Sequence, residues 1–351
     1  MGLLMLGMYS LELGKAGYII AKDMCKIKPG ESVLITVDSA MDFAPVEAVA
    51  QAAEALGAKV MVAWHSTPSG YGKAADARMP EPLKAAIPVA DVWIEFNNQW
   101  LLYSSPWIEA MANGKTRYLF LGGLDKAQVT RCIANLNMDL QSQFQNKVVE
   151  LTAKVKKMRI TSPGGTDVSF ENDQSRPILN ELDASTPGAH FLIGQMGWAP
   201  IENTINGTIV FDGSFSGGGE AELGVLTNPI ELTVKEGKIV DINGKEEAKF
   251  VANWLAALND PRMYNLAHVS YGFNPGSKLC GLCTEDERVW GSTEWGIGYQ
   301  GPMFKGGFGD AATHADGICL NSTIWIGDEK LTENGKVVHP ELISIARQMG
   351  K

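Results

Sequence analysis

The chain has 351 residues, 45% hydrophobic and 20% charged, with a net charge of −10. That is the composition of a globular protein large enough for about two domains of ~150 residues each. The acidic balance argues against a phosphate-reading surface, so neither nucleic acid nor an anionic membrane is an expected partner. Five cysteines make no disulfide framework in a chain this long, which fits a reducing cytoplasm.

The opening MGLLMLGMYS is apolar but short, without a basic leader or a small-residue cleavage site. It is expected to start a buried helix rather than to act as a signal peptide. No uncharged apolar run approaches the ~20 residues that span a bilayer. Residues 32–37 (SVLITV) form a β-branched run, followed by an alanine-rich helical stretch at 45–56 that stops at Gly57. Residues 59–63 predict a second strand, 81–87 a short helix, 91–96 (DVWIEF) a third strand and 117–121 (RYLFL) a fourth, with helical sequence from Asp125. This alternation predicts a Rossmann-like α/β domain with a parallel sheet over residues 1–155. Ligands of such sheets bind at the carboxyl ends of the strands, so 97–106, after the third strand, is a candidate pocket wall.

Residues 143–157 predict a charged amphipathic helix leading to the second half. Beyond Met158, strand-like runs alternate with glycine-rich turns. Residues 231–235 and 238–242 flank Glu236-Gly237 as a hairpin. Residues 246–258 predict an amphipathic helix. The second domain, 156–351, is therefore expected to be α+β, with largely antiparallel sheet and a metal-binding role.

The five histidines are His65, His190, His268, His314 and His339. His314 and Asp316 form a His-x-Asp. Residues i and i+2 of a strand share a face, so this pair can offer an imidazole and a carboxylate to one ion. A strand-end His–Asp hydrogen bond would use the same residues. His268, amid apolar and small neighbours, reads equally as a satisfied core histidine. Glu202, between apolar residues and before a glycine-marked strand, reads as a ligand, a general base with a raised pKa, or a turn cap. Cys280 and Cys283 form a single CxxC without the second pair that a zinc ribbon needs, and are expected to be structural. The glycines at 122–123 and 217–219 have neither dinucleotide nor phosphate-loop spacing.

The segments PIENTINGTIVFD (200–212), 230–255, NDPRMYNLAHVSYGFNP (259–275) and His314–Asp316 with the strand after it resemble the 2,5-dihydroxypyridine 5,6-dioxygenase family. That family is itself similar to the aminopeptidase T-like metallopeptidases. The first half matches more loosely, through its α/β pattern and the 164–167 turn. The resemblance implies one Fe(II) held by His268, His314 and Asp316, with a small aromatic substrate and O2 as partners in a cytoplasmic homo-oligomer. The implied activity is ring cleavage of a hydroxylated N-heteroaromatic, dihydroxypyridine-like compound by a mononuclear non-haem, extradiol-type dioxygenase. Glu202 matches a glutamate shared by both branches. The peptidases carry a glutamate at the position of His268 and an added histidine in the region where this chain has Glu294. The alternative is therefore a metallo-aminopeptidase or other hydrolase, with Zn, Co or Mn, Glu202 as general base and Glu294 beside a second ion. One departure stands out: where the dioxygenase has an acid/base histidine, this chain has Tyr103. A phenol near its ordinary pKa of ~10 donates a hydrogen bond but is a poor base. His190 is a further candidate proton carrier, and Trp198, Tyr271 and Trp295 are candidate pocket walls or ordinary core.

Overall fold

The computed structural model describes residues 9–351, and of Glu220 only the backbone. The helix expected to begin within residues 1–8 falls outside the described residues. Helix α1 spans Ser10–Tyr18 and buries Leu13, Ala16 and Gly17. The chain forms two compact units: one runs to Leu136 and includes Leu182–Leu192, and the other comprises Asn137–Glu181 and Ile193–Lys351.

In the first unit β1 (Ser32–Asp38), α2 (Ala44–Ala55), β2 (Lys59–His65), α3 (Glu81–Ala86), β3 (Val92–Glu95), α4 (Ser105–Ala112), β4 (Arg117–Phe120) and α5 (Lys126–Val129) follow the predicted alternation. Helix α6 (Met138–Ala153) and strands β5 (Lys157–Thr161), β6 (Asp167–Glu171) and β7 (Leu179–Asn180) belong to the second unit, and β8 (Gly188–Phe191) returns to the first. The sheet order is β2-β1-β3-β4-β8, and every pairing is parallel. This is a doubly wound order whose switch point lies between β1 and β3. The division thus falls at residue 137 rather than near 155. Phe144 and Val148 of α6 are buried in the second unit's core, and β8 completes the first unit's sheet.

At the switch point, Glu95 is fully buried. It accepts hydrogen bonds from Tyr118 Oη (2.5 Å), Leu101 N (2.5 Å) and Asn97 Nδ2 (3.1 Å). Burial raises its pKa to about 7, against the pull of these donors. Asp38 accepts from Gln99 N at 2.8 Å. Two buried carboxylates therefore hold the loop after β3. Tyr103 lies in that loop with φ +66, a left-handed conformation rare for aromatic residues. The residue is 43% exposed, and its ring meets Trp107 edge-on at 5.1 Å.

The second unit continues with β9 (Gln195–Trp198), β10 (Asn206–Phe211), β11 (Ser214–Ser216), β12 (Glu222–Val225), β13 (Ile230–Lys235), β14 (Lys238–Gly244) and α7 (Glu246–Ala257). Then come β15 (Leu266–Gly272), α8 (Cys283–Asp286), β16 (Ser292–Gly298), β17 (His314–Cys319), β18 (Thr323–Ile326), β19 (Glu329–Glu333), β20 (Lys336–Val337) and α9 (Pro340–Gln348). They build two antiparallel sheets, β14-β13-β10-β6-β5-β18-β19-β20 and β12-β11-β17-β16-β15-β9-β7. The β13–β14 hairpin turns on Glu236 and Gly237, both with positive φ, as a two-residue turn requires. One apolar cluster joins the sheets, with Ile160, Ile209 and Leu232 from the first and Val269, Tyr271, Trp295 and Ile297 from the second. Trp198, Tyr271 and Trp295 are at most 3% exposed in this core. They are core residues, not pocket walls. Among the described residues no helix is long and apolar enough to cross a membrane.

Candidate metal centre

The seven-stranded sheet carries its chemistry on the face opposite the core. Across β15, β16 and β17, His268 pairs with Gly296 and Gly296 with Asp316; Ser270 pairs with Glu294, and Gly298 with His314. Directly opposed residues of an antiparallel pair share a face, so His268, Ser270, Glu294, Gly296, His314 and Asp316 all project to one side. The β15–β16 register shifts between Leu266 and His268. This bulge brings His268 opposite Gly296. Bulges next to sites re-aim a side chain in this way.

The donor atoms converge. His314 Nε2 lies 2.9 Å from Asp316 Oδ1, and His268 Nε2 lies 3.9 Å from the same oxygen. Glu294 Oε1 lies 2.7 Å from His268 Nε2. The ligand atoms of His268, His314 and Asp316 all fall within 4.8 Å of one another. Donors bound at about 2.1 Å to one ion stand ~3.0 to ~4.2 Å apart, depending on the angle they subtend. The two imidazoles are nearly parallel, 5.2 Å between centroids, and Phe304 stacks on His268 at 4.7 Å.

Surrounding groups orient these donors. His314 Nδ1 lies 2.7 Å from the Tyr299 carbonyl. It therefore carries the proton, which leaves Nε2 a lone pair aimed at the cluster. Glu294 Oε2 accepts from Gln195 Nε2 at 2.8 Å and from the Ser270 hydroxyl. Glu294 Oε1 and Asp316 Oδ1 are buried and make no hydrogen bond, although each faces an imidazole nitrogen. Burial and the charges of Glu294 and Glu287 push the Asp316 carboxyl well above its usual range. Burial also disfavours the charge on Glu294, but His268 outweighs it and holds that carboxyl low. Buried, unsatisfied acceptors beside correctly presented imidazoles fit a divalent cation.

A second group of donors, Cys283, Glu287 and Asp316, adjoins the first and shares Asp316 with it. The Cys283 thiol donates to Glu287 Oε1 at 2.8 Å, and Glu287 Oε2 pairs with Arg288. Cys280 donates to Glu285 Oε2 at 3.1 Å, and neither cysteine is in a disulfide.

Glu202 has its oxygens engaged elsewhere. Arg176 grips it bidentately at 2.8 and 3.0 Å, and Gly307 N donates to Oε1 at 2.5 Å. The Arg176 guanidinium, outweighing burial, keeps its carboxyl below the usual range. Gln300 reaches the same Oε1 at 3.3 Å and the carbonyl of Ala267, at the bulge, at 2.6 Å. Glu202 thus pins the glycine-rich segment 300–309, which carries Phe304. Tyr103 and His190 lie in the first unit; His190 Nε2 is 2.8 Å from the Thr186 carbonyl.

A family model described as NicX: 2,5-dihydroxypyridine 5,6-dioxygenase matches residues 20–339. The chain belongs to the 2,5-dihydroxypyridine 5,6-dioxygenase family. It is 23% identical over 347 residues to the 2,5-dihydroxypyridine 5,6-dioxygenase of Pseudomonas putida, covering 91% of this chain and 94% of that protein. The solved structure of the dihydroxypyridine dioxygenase from Pseudomonas putida KT2440 superposes with a TM-score of 0.75 at 20% identity, over 95% of this chain and 99% of that one. Wild-type AmpT from Thermus thermophilus superposes with a TM-score of 0.69 at 14% identity, over 94% and 100% of the two chains. These two superpositions show a common fold.

In this member of the 2,5-dihydroxypyridine 5,6-dioxygenase family, several residues beyond the His-x-Asp shape the centre. Sequence reading missed Gly296, Tyr299, Phe304, Ser270, Gln195 and Arg176. Gly296, alternating with Trp295 and Ile297 in a strand, was the one available signal, because glycine inside a strand marks a close approach.

Proposed function

We propose that this chain is a dioxygenase that opens the ring of a hydroxylated N-heteroaromatic, dihydroxypyridine-like compound at a single Fe(II) held by His268, His314 and Asp316. The observation that supports it is the convergence of two imidazole nitrogens and one carboxylate oxygen within 4.8 Å, on one sheet face, in a chain of this family. Two histidines and one carboxylate form the ligand type that leaves positions open on Fe(II). Bound Fe(II) would supply those positions and the redox chemistry that dioxygen needs to react with an electron-rich ring. In the overall reaction one ring C–C bond breaks and both oxygen atoms of O2 enter the product.

The chain's own residues do the rest. Tyr299 fixes the His314 tautomer. Arg176 and Glu202 hold the 300–309 segment, in which Phe304 stacks on His268. Tyr103 stands where the dioxygenase has a histidine. A phenol is ordinarily a poorer base than an imidazole, so the preferred ring is expected to differ from 2,5-dihydroxypyridine in its hydroxylation or ionisation. The reading carries with it a cytoplasmic homo-oligomer.

The test is anaerobic reconstitution with Fe(II), followed by oxygen-uptake assays on a panel of hydroxypyridines. Stoichiometric oxygen consumption with ring-opened product supports the reading. Full iron loading without oxygen uptake on any hydroxylated ring would sink it.

One observation favours a second reading, a metal-dependent hydrolase. The Cys283–Glu287–Asp316 group shares Asp316 with the first and offers donors for a second ion. Two zinc, cobalt or manganese ions per chain together with peptide cleavage would select it, with metal-bound water as nucleophile. One iron per chain selects the dioxygenase.

A further inference from the structure

Glu294 is the most deeply buried carboxylate of the centre, at 0% exposure. One of its oxygens is satisfied: Oε2 accepts from Gln195 Nε2 at 2.8 Å and from Ser270 Oγ. The other, Oε1, makes no hydrogen bond and stands 2.7 Å from His268 Nε2, the nitrogen that faces Asp316. Two donors on one oxygen fix the rotation of the carboxylate and aim the other oxygen into the cluster. That is how outer partners orient a metal-bound carboxylate.

The charges agree. His314 donates its Nδ1 proton to Tyr299 and presents a neutral Nε2. Glu287 is paired with Arg288. Glu294 and Asp316 remain as two buried carboxylates facing two imidazoles. Buried charges persist where they are paired or coordinate a metal. A divalent ion bound by two neutral imidazoles and two carboxylates is electrically neutral as a whole.

We infer that Glu294 is a fourth protein ligand, making the centre a two-histidine, two-carboxylate site. The inference rests on the metal reading of His268, His314 and Asp316 and deepens it. In an octahedral complex three protein donors leave three positions for solvent or substrate, and four leave two.

Mn(II) is the probe, because its electron paramagnetic resonance signal broadens with each bound water labelled with oxygen-17. The apoprotein loaded with Mn(II) is expected to hold two exchangeable waters. Glu294→Gln, which keeps the shape but removes the charge, is expected to hold three and to bind Mn(II) at least ~10-fold more weakly. Three waters in the wild type, or the same count in both proteins, would overturn the inference. The wild-type count decides even if the variant does not fold. Undiminished Mn(II) affinity in His314→Ala, or no affinity in the wild type, would instead overturn the metal centre itself.

Discussion

Gly296 lies directly beneath the His268 imidazole: a Cβ at position 296 would run into Nδ1 and Cε1 of His268 and stand 2.9 Å from Cε1 of His314. The two imidazoles share the space of one missing side chain. Gly296→Ala is therefore expected to displace both rings. It should cost about 1–3 kcal/mol through overpacking and weaken Fe(II) binding at least ~10-fold. Chelator competition under anaerobic conditions, beside a thermal melt, reads both effects. Unchanged metal affinity would show that the rings do not both ligate.

His314 is the ligand whose loss should disturb the fold least. Its side chain is 32% exposed, and its removal takes away one hydrogen bond to the Tyr299 carbonyl and the contacts with Asp316 Oδ1 and the His268 ring. His314→Ala is expected to abolish metal binding and oxygen uptake while its melting temperature stays close to that of the wild-type apoprotein. A fully active variant would refute the ligand assignment.

Arg176 acts at a distance from the ions it would influence. Removing it leaves Glu202 buried and unpaired, which costs about 3 kcal/mol for a pair of this kind. Because Glu202 is held below its ordinary range, the stability this pair contributes is present above the unfolded carboxyl pKa and is lost as pH falls through the folded value. Arg176→Met should remove that acid dependence. It should also loosen the 300–309 segment, making the bond after the exposed Lys305 a faster site of trypsin cleavage than in the wild type. Equal cleavage rates would show that the ion pair does not hold the segment.

Glu95 carries the opposite pH signature. Its carboxyl rises from 4.5 to about 7 on burial, so the folded protein binds this proton more tightly than the unfolded chain. The associated stability is complete below pH ~4.5 and disappears as pH rises toward 7, roughly 3 kcal/mol in all. Glu95→Gln keeps an acceptor for Leu101 and Asn97 and removes the titration. Urea melts between pH 4.5 and 7 should slope downward for the wild type relative to the variant. Parallel curves would refute the assignment.

Much of this protein is written in local patterns. The alternation of β-branched runs and alanine-rich stretches predicts β1–β4 and their helices. Glu236-Gly237 predicts the hairpin, because the turn needs two residues that tolerate positive φ. The two-residue period of a strand puts His314 and Asp316 on one face before any tertiary contact is known. These features depend on neighbours within a few residues, so the sequence displays them.

The rest depends on register between strands distant in sequence. Glu294 meets His268, 26 residues away, only because β15 and β16 pair with a bulge at Ala267, and a slip of one residue would send either side chain into the core. Gly296 is an ordinary strand glycine until two imidazoles arrive above it. Glu202 reads as a ligand, a general base or a turn cap until Arg176 and Gly307 close on it. The return of β8 to the parallel sheet, like the shift of α6 into the second unit, is decided by which apolar surface each segment buries. A sequence can declare the period of an element and the chemistry of its side chains. Which side chains meet is decided by pairing and packing, whose energies come from residues far apart in the chain.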